Sequence, residues 1–280
     1  MAIMRIPSLR FKQRTVFGLV IITIPMLAAP SFAWCPAVHA WIAVQVAGRD
    51  DGRIAYGAVA GDVNNAARDA VASELRQLSH NRYDLLEPSL FADGLTMHNE
   101  TWGADAYAHG AVNPDTQQYI KGYIQLKSEQ LSDELGISMG DGHLLMEVAT
   151  DFVLRKHEGP RAGGRIYLGA LLSGRYPREA MVEAFGQPLA DATQLSLEEA
   201  ETEIGRAAAL IRTGAAVYGS QFAMPTPYLN TMIPLGLSLV QGTDFATASL
   251  QFARAVELSD DLEDFLAYIV PRMQDQLPPE

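Results

Sequence analysis

Cysteine is almost missing from this 280-residue chain, in which Cys35 is the single example. An intrachain disulfide is therefore excluded, and metal ions are the remaining means of cross-linking the fold. Basic residues are also scarce, with 21 Lys and Arg against 33 Asp and Glu and a net charge of −12. Because so acidic a surface repels polyanions, the chain is not expected to bind nucleic acid stably.

Apolar runs long enough to cross a bilayer are missing after residue 33. Before it, four basic residues and no acid precede the apolar stretch Val16–Ala29, and a small-x-small pattern ends at Ala33. This arrangement predicts a secretory signal peptide over residues 1–33 and a mature chain, 34–280, that is exported to the periplasm or the medium. A membrane anchor is disfavoured because the stretch is short and Pro25 interrupts it. The mature chain would have 17 Lys and Arg against 33 acids, a net charge of −16.

Strand-like alternation of apolar and polar residues is nearly absent, and apolar spacings of three and four dominate. These spacings predict an all-α fold, with residues 34–280 forming one multi-helix domain. The segment 81–99, which contains Pro88 and Gly94, has no clear period and is predicted to be an ordered loop over the site. The predicted helices are Pro36–Ala47, Asn65–Leu78, Thr101–Gly110, Asp115–Leu135, Gly142–His157, Arg161–Leu172, Leu197–Tyr218, Asn230–Leu239, Asp244–Leu258 and Asp260–Gln276.

Only six histidines occur, and one of them belongs to a helical series of polar residues. His143, Glu147 and Asp151 are spaced four apart, so they share one face of a mostly apolar helix. A stripe facing water is the alternative, but the apolar neighbours favour burial, and buried charges need partners. Imidazole and carboxylate are good zinc ligands. We therefore interpret His143 and Glu147 as ligands, with Asp151 orienting a ligating histidine from behind.

A second pair of polar residues, Asp105 and His109, has the same spacing, and His98 lies seven residues before Asp105. The surrounding small residues would let this segment approach another helix closely around ions. An ordinary Asp–His hydrogen bond in the core is the alternative.

The predicted mature start forms a third signal. Cleavage after Ala33 would expose the amine of Trp34, whose pKa near 8 makes loss of its proton to a metal inexpensive. The amine and carbonyl of one residue can chelate one ion. His39 would follow one turn into the first helix, although a histidine there is also common as a buried structural residue.

Taken in chain order, these motifs resemble those of the superfamily of zinc-dependent phospholipases C and single-strand-specific nucleases. The resemblance spans about residues 34–157 and implies a helical fold, two or three Zn²⁺ ions and a metal-activated hydroxide that attacks phosphorus. It also implies that Asp62 both binds metal and orients the nucleophile. The ligands it implies are Trp34, His39, Asp62, His98, Asp105, His109, His143 and Glu147.

Two departures from the family pattern concern ligand positions. Gly61 stands where the family usually has proline before the first Asp, and Thr101 stands four residues before Asp105, where a histidine is expected. Either His98 is the loop ligand and one ligand is lost, which we favour, or His98 replaces the missing histidine and His80 is the loop ligand. In the favoured case the third ion is weakly bound, absent or completed by water, and His80 and His157 are structural or exposed.

The substrate is left open by the motifs. The Trp-x4-His spacing at the mature start resembles the nuclease branch, whereas His-x3-Glu and the negative charge favour the phospholipase C branch. Apolar residues between Tyr83 and Trp102 would either contact lipid or pack on the core. The favoured prediction is an exported phospholipase C-like hydrolase acting on a phospholipid or another small phosphodiester, with transient contact to a membrane surface. The alternatives are a nuclease or nucleotide phosphodiesterase and a non-catalytic relative that binds metal or lipid.

Overall fold

Helices make up most of the computed structural model, which describes residues 36–113 and 116–277. The all-α prediction is confirmed, whereas the predicted leader and Trp34 lie outside the described residues. Two short 3₁₀ segments, Gly61–Ala66 and Tyr83–Leu85, interrupt the series. The α-helices of the described part are α1 (Pro36–Val46), α2 (Gly52–Ala60), α3 (Asp69–Asn81), α4 (Leu90–Thr96), α5 (Ala104–His109), α6 (Tyr123–Leu135), α7 (Met139–Glu158), α8 (Arg161–Leu172), α9 (Tyr176–Ala192), α10 (Leu197–Phe222), α11 (Thr226–Gln241), α12 (Phe245–Leu258) and α13 (Leu262–Gln274).

Helix boundaries follow the predictions most closely where the apolar period is long. Helix α8 has the predicted bounds, and α10 begins with the expected reciprocal cap between Ser196 and Glu199. Helices α2 and α9 are additional, because glycines in α2 and Pro188 inside α9 obscure their period. The prediction that 81–99 is a loop was wrong in part, since the side chain of Ser89 accepts a hydrogen bond that caps α4.

A β-hairpin replaces the start of the helix predicted over 115–135. Strand β1 (Gly110–Val112) pairs antiparallel with β2 (Tyr119–Lys121). Val112, Tyr119 and Ile120 favour extended backbone, and Gly110 has a φ of +107°, which glycine accepts most readily. Consequently α6 begins only at Tyr123, and α5 ends at His109, directly before the hairpin.

Helix α2 packs at the centre of the N-terminal half, against α1, α4 and α8. Its contact with α4 is made by backbone: a Cβ added to Gly94 would lie 2.1 Å from the carbonyl oxygen of Ile54, and one on Gly57 would lie 2.2 Å from that of Phe91. Any side chain at either glycine would therefore force the two helices apart. This close approach fixes α4, and with it the residues that follow, relative to α2.

Glu203 on α10 ties the C-terminal half to the segment that follows the first 3₁₀ turn. Its buried carboxylate accepts hydrogen bonds from the backbone N–H of Arg68 (2.8 Å) and from the guanidinium of Arg206 (2.5 Å). Arg206 also donates to the carbonyl oxygen of Ala66 (2.9 Å). These bonds hold the end of the 3₁₀ turn that carries Asp62.

Buried apolar side chains form one continuous core that extends from α1 to α13. Within the described part, no helix combines the length and apolar character needed to cross a membrane.

Candidate metal centre

Five polar side chains from separate segments meet beneath α1, and we call them the buried cluster: His39, Asp62, His80, His98 and Asp105. They come from α1, the first 3₁₀ turn, the end of α3, the turn after α4 and the start of α5. Each residue is no more than 4% exposed. The sequence prediction that these distant segments place His39, Asp62, His98 and Asp105 close together agrees with this geometry.

The carboxylate of Asp105 lies at the centre of the buried cluster. Its Oδ1 is 3.6 Å from Nε2 of His98 and 3.8 Å from Nε2 of His39, and its Oδ2 is 3.4 Å from Nε2 of His80. Neither oxygen accepts a well-directed hydrogen bond from any described residue. Ligand atoms about 2.0–2.1 Å from a tetrahedral zinc ion are about 3.3 Å apart. The spacing around Asp105 therefore fits donors arranged around a metal ion.

Asp62 and His80 contribute further potential ligand atoms close to His98. Nε2 of His98 lies 3.0 Å from Nε2 of His80 and 3.8 Å from Oδ1 of Asp62. Asp62 is held in place by Asn65, whose side-chain amide donates to Oδ1 (3.0 Å). Two groups of potential ligand atoms result, with all the atoms of a group within 4.8 Å of one another: His39, His98 and Asp105, and Asp62, His80 and His98.

Burial sets the protonation states needed for ligation. It lowers the pKa of His39 to about 4 and that of His98 well below its ordinary value, so both rings are neutral at neutral pH. Burial alone would raise the pKa of Asp105, but its interactions with His98 and His80 outweigh that effect and lower it far below the ordinary value. Neutral imidazoles beside an ionised carboxylate form a donor set suited to zinc.

A second candidate site, which we call the three-residue site, contains His109, His143 and Glu147. Nε2 of His143 lies 2.9 Å from Oε1 of Glu147, and the rings of His109 and His143 stack with their centroids 4.9 Å apart. Their ligand atoms also lie within 4.8 Å of one another. The helical spacings read from the sequence thus place one side chain from α5 beside two from α7, as predicted.

The two sites differ in solvent access and are electrostatically connected. The side chain of His143 is 28% exposed, so the three-residue site reaches the surface. Burial raises the pKa of Glu147 to about 7, the contact with His143 opposes this rise, and the negative charge of Asp105 adds to it. Because Asp105 and His109 are on the same short helix, the sites adjoin.

Asp151 has a different role from the predicted one. Its carboxylate accepts hydrogen bonds from the backbone N–H groups of Ala37 (3.1 Å) and Val38 (2.8 Å), and from the hydroxyl of Tyr218. Burial raises its pKa to about 7, although these hydrogen bonds lower it in part. Asp151 therefore caps the first turn of α1 from a distant helix, and among the described residues we find no contact of its carboxylate with a ligand histidine.

Gly61 is explained by the position of His98. A Cβ at residue 61 would lie 2.4 Å from the His98 ring. Only glycine leaves room for that ring, which packs against the backbone just before Asp62. The unusual glycine and the inward position of His98 are thus two parts of one arrangement.

His80 is the site residue that the favoured sequence interpretation missed. Of the two expectations for His80, structural or exposed, exposure is excluded, because the residue is 1% exposed and contacts both His98 and Asp105. Its signal in the sequence is its place on the buried side of α3, after Leu75 and Leu78. His157, in contrast, is at the surface as expected and pairs with Glu263.

Thr101 does not occupy a vacant ligand position on a helix. Helix α5 begins at Ala104, so Thr101 is not one helical turn from Asp105, and its side chain is exposed. The i, i+4 spacing that made residue 101 an expected ligand is therefore lost, and His98 reaches Asp105 from the preceding turn.

The apolar residues of the segment 83–102 mostly face the interior, which decides between the two roles considered for it. Phe91, Leu95 and Met97 are buried, while Tyr83 and Trp102 are partly buried against the core. This segment therefore packs on its own core.

The chain matches no protein-family model, no curated protein and no solved structure. The family resemblance consequently stays an expectation based on the order of the motifs.

Proposed function

We propose that the protein is an exported, zinc-dependent phosphodiester hydrolase. The observation that supports this most directly is the convergence of the buried cluster on Asp105, whose oxygens accept no well-directed hydrogen bond from described residues. The three-residue site adjoins it through His109, which is on the same short helix as Asp105. A buried, ionised carboxylate in that state is costly unless a cation compensates it. Clusters of histidine and carboxylate are the usual zinc donors.

Charge balance favours an anionic substrate. The two sites contain three carboxylates, those of Asp62, Asp105 and Glu147, and five imidazoles. Divalent ions bound among them would offset this negative charge and bring positive charge into an acidic protein. A phosphodiester, which carries one negative charge, is suited to contact such ions.

Bound zinc would supply a Lewis acid that polarises the phosphoryl group and makes water a better nucleophile near neutral pH. The residues of the chain have separate tasks around it. Asp62, oriented by Asn65, is suited to orient the attacking water through a carboxylate oxygen and to hold its proton. The partly exposed His143 lies where substrate can approach, while the buried cluster excludes solvent.

A phospholipase C-like substrate is favoured over a polynucleotide. The hairpin that follows His109 exposes Val112, Tyr119 and Ile120, and the hydroxyl of Tyr119 donates to the carbonyl oxygen of His109 (2.6 Å). Exposed apolar side chains beside the three-residue site suit a lipid phosphodiester and transient contact with a membrane surface. The acidic composition opposes long polyanions.

The test is hydrolysis by purified mature protein whose first residue is verified by mass spectrometry. We expect zinc-dependent cleavage of p-nitrophenyl phosphorylcholine that exceeds cleavage of a nucleotide phosphodiester, and loss of activity in Asp105→Asn. The control Asp133→Asn changes an exposed acid on α6 and should retain activity. Preferential cleavage of single-stranded DNA would instead support the nuclease alternative.

A non-catalytic metal-binding role is the second candidate, and the burial of the cluster is what favours it. Structural zinc sites are closed by protein ligands, whereas catalytic sites keep a position open, and His98 is 0% exposed. Two or more bound metal equivalents with no cleavage of any phosphodiester tested would favour this role over the hydrolase.

A further inference from the structure

The turn between α4 and α5 is held rigidly by the buried side chain of Asn99. Its Oδ1 accepts hydrogen bonds from the backbone N–H groups of Thr101 (2.8 Å), Trp102 (2.8 Å) and Gly103 (3.1 Å). Its amide nitrogen donates to the carbonyl oxygen of Thr96 (2.7 Å). With the backbone fixed on both sides, His98 and the residue that follows Asn99 have defined positions.

That following residue is Glu100, a carboxylate at the rim of the buried cluster. One of its oxygens, one ring nitrogen of His80 and one carboxylate oxygen of Asp105 all lie within 4.8 Å of one another. Its side chain is 27% exposed, so it stands between the buried donors and solvent. Glu100 is therefore a candidate carboxylate ligand on the solvent side of His80 and Asp105.

Two residues of α3 hold Glu100 in its present orientation. Nε of Arg76 lies 2.7 Å from Oε1 of Glu100, and the side-chain amide of Asn81 donates to Oε2 (3.3 Å). The Arg76 side chain is 44% exposed, and a partly exposed ion pair of this kind is weak. A divalent cation close to Asp105 would attract the carboxylate more strongly than Arg76 does.

We propose that Glu100 is a metal ligand that exchanges its ion pair with Arg76 for a divalent cation shared with His80 and Asp105. Asp105, with no well-directed hydrogen bond from described residues, is the second, independent indication that a cation belongs there. The inference rests on the metal binding that the proposed function requires, but not on hydrolysis.

Zinc affinity measured by competition with a chromophoric chelator tests this exchange. We expect Glu100→Gln to lower the affinity for one zinc ion at least about 10-fold. Glu100→Asp should bind that ion more tightly than Glu100→Gln does. Arg76→Met should raise the affinity for the same ion several-fold, because it removes the guanidinium that competes for Glu100. The matched control is Glu129→Gln, which removes a similarly exposed acid from its ion pair with Lys121.

The double variant Arg76→Met/Glu100→Gln separates ligation from a general field effect. If Glu100 is the ligand, the gain from Arg76→Met disappears when Glu100 is replaced. If the same gain persists, Arg76 acts only through its charge and the inference is overturned. The visible spectrum of the Co²⁺-loaded protein provides a direct check, because loss of a ligand changes its band positions and intensities. Circular dichroism identifies any variant that fails to fold.

The outcomes also distinguish this inference from the proposed function. Unchanged zinc affinity and Co²⁺ spectrum in folded Glu100→Gln would overturn the Glu100 assignment while leaving the hydrolase proposal intact. A zinc ion whose affinity depends on Glu100, in a protein that hydrolyses no phosphodiester, would support the Glu100 assignment and overturn the hydrolase proposal. Absence of metal binding by the wild-type protein would overturn both.

Discussion

The backbone N–H of Val38 donates a 2.8 Å hydrogen bond to Oδ1 of Asp151, a residue 113 positions further along the chain. The other oxygen accepts from Ala37 and from the hydroxyl of Tyr218, so three donors from two helices meet one buried carboxylate. A negative charge at this end of α1 also interacts favourably with the helix dipole. His39, one residue beyond Val38, is positioned by the same contact.

Asp151→Ala is expected to destabilise the protein by about 3 kcal/mol, because it leaves two buried N–H groups without their acceptor. Asp151→Asn should cost less, since one side-chain oxygen still accepts a hydrogen bond. Urea unfolding of metal-free protein measures the difference. The comparison variant is Asp133→Ala, at an exposed position of α6, which should lie within about 0.5 kcal/mol of wild type.

Gly61→Ala tests whether the buried cluster depends on room for the His98 ring. The added Cβ would lie 2.4 Å from that ring, so His98 must move, and we expect zinc affinity to fall about 10- to 100-fold. The backbone of Gly61 is right-handed helical, with a φ of −52°, so alanine causes no conformational strain there.

Gly164→Ala is the matched control for that substitution, because it lies in a helix and a Cβ there meets nothing within 4 Å. It should leave zinc affinity unchanged and stabilise the protein slightly. Equal zinc affinities for Gly61→Ala and Gly164→Ala would contradict the role assigned to His98.

His80→Ala should remove one zinc ion, or weaken it at least about 10-fold, because Nε2 of His80 faces both His98 and Asp105. Metal analysis after equilibrium dialysis gives the stoichiometry. His157→Ala should retain the wild-type metal content, since His157 is a surface residue paired with Glu263. If both variants retained all their metal, His80 would be a structural residue and not a ligand.

The contribution of Glu203 to the free energy of unfolding depends on pH and is lost in acid. The hydrogen bond from Arg206 lowers its pKa from the ordinary 4.5 to about 2, although burial opposes this shift. A carboxylate whose folded pKa is depressed stabilises the fold above its unfolded pKa, and that contribution is lost as the pH falls through the folded pKa.

Glu203→Gln should therefore lower the free energy of unfolding by about 2–3 kcal/mol at pH 7. The difference from wild type should narrow between about pH 4.5 and pH 2. Urea unfolding of metal-free protein at a series of pH values measures it, with Glu201→Gln on the same helix as the exposed control. A difference that stayed constant down to pH 2 would contradict the depressed pKa.

The sequence predicted those parts of the site that depend on helical spacing. His143 with Glu147 and Asp105 with His109 are defined by local geometry, because residues four apart share a helix face. His80 and Glu100 depend instead on where α3 and the Asn99 turn meet, which local spacing cannot specify. The favoured interpretation of His98 and Thr101 assumed that the helix of Asp105 extended back to residue 101, whereas the Asn99 hydrogen bonds delay its start to Ala104.

The fold shows the same division. Long apolar periods predicted α8 and α10 well, but α2 and α4 are short helices stabilised by the contact between Gly57 and Gly94. Glycine lowers helix propensity in isolation, so a tertiary contact overrides the local preference in both. The hairpin was missed for a related reason: its three-residue strands are too short for alternation to be recognised.

The complete burial of His98 would limit how quickly an ion bound in the buried cluster could be exchanged. An ion inside a cluster whose residues are at most 4% exposed can leave only when neighbouring segments open, so its residence time follows the free energy of that opening. An ion at the partly exposed His143 has no such barrier. Isotopically labelled zinc should therefore enter the protein in a fast and a slow phase. The buried cluster would account for the slow phase and the three-residue site for the fast one.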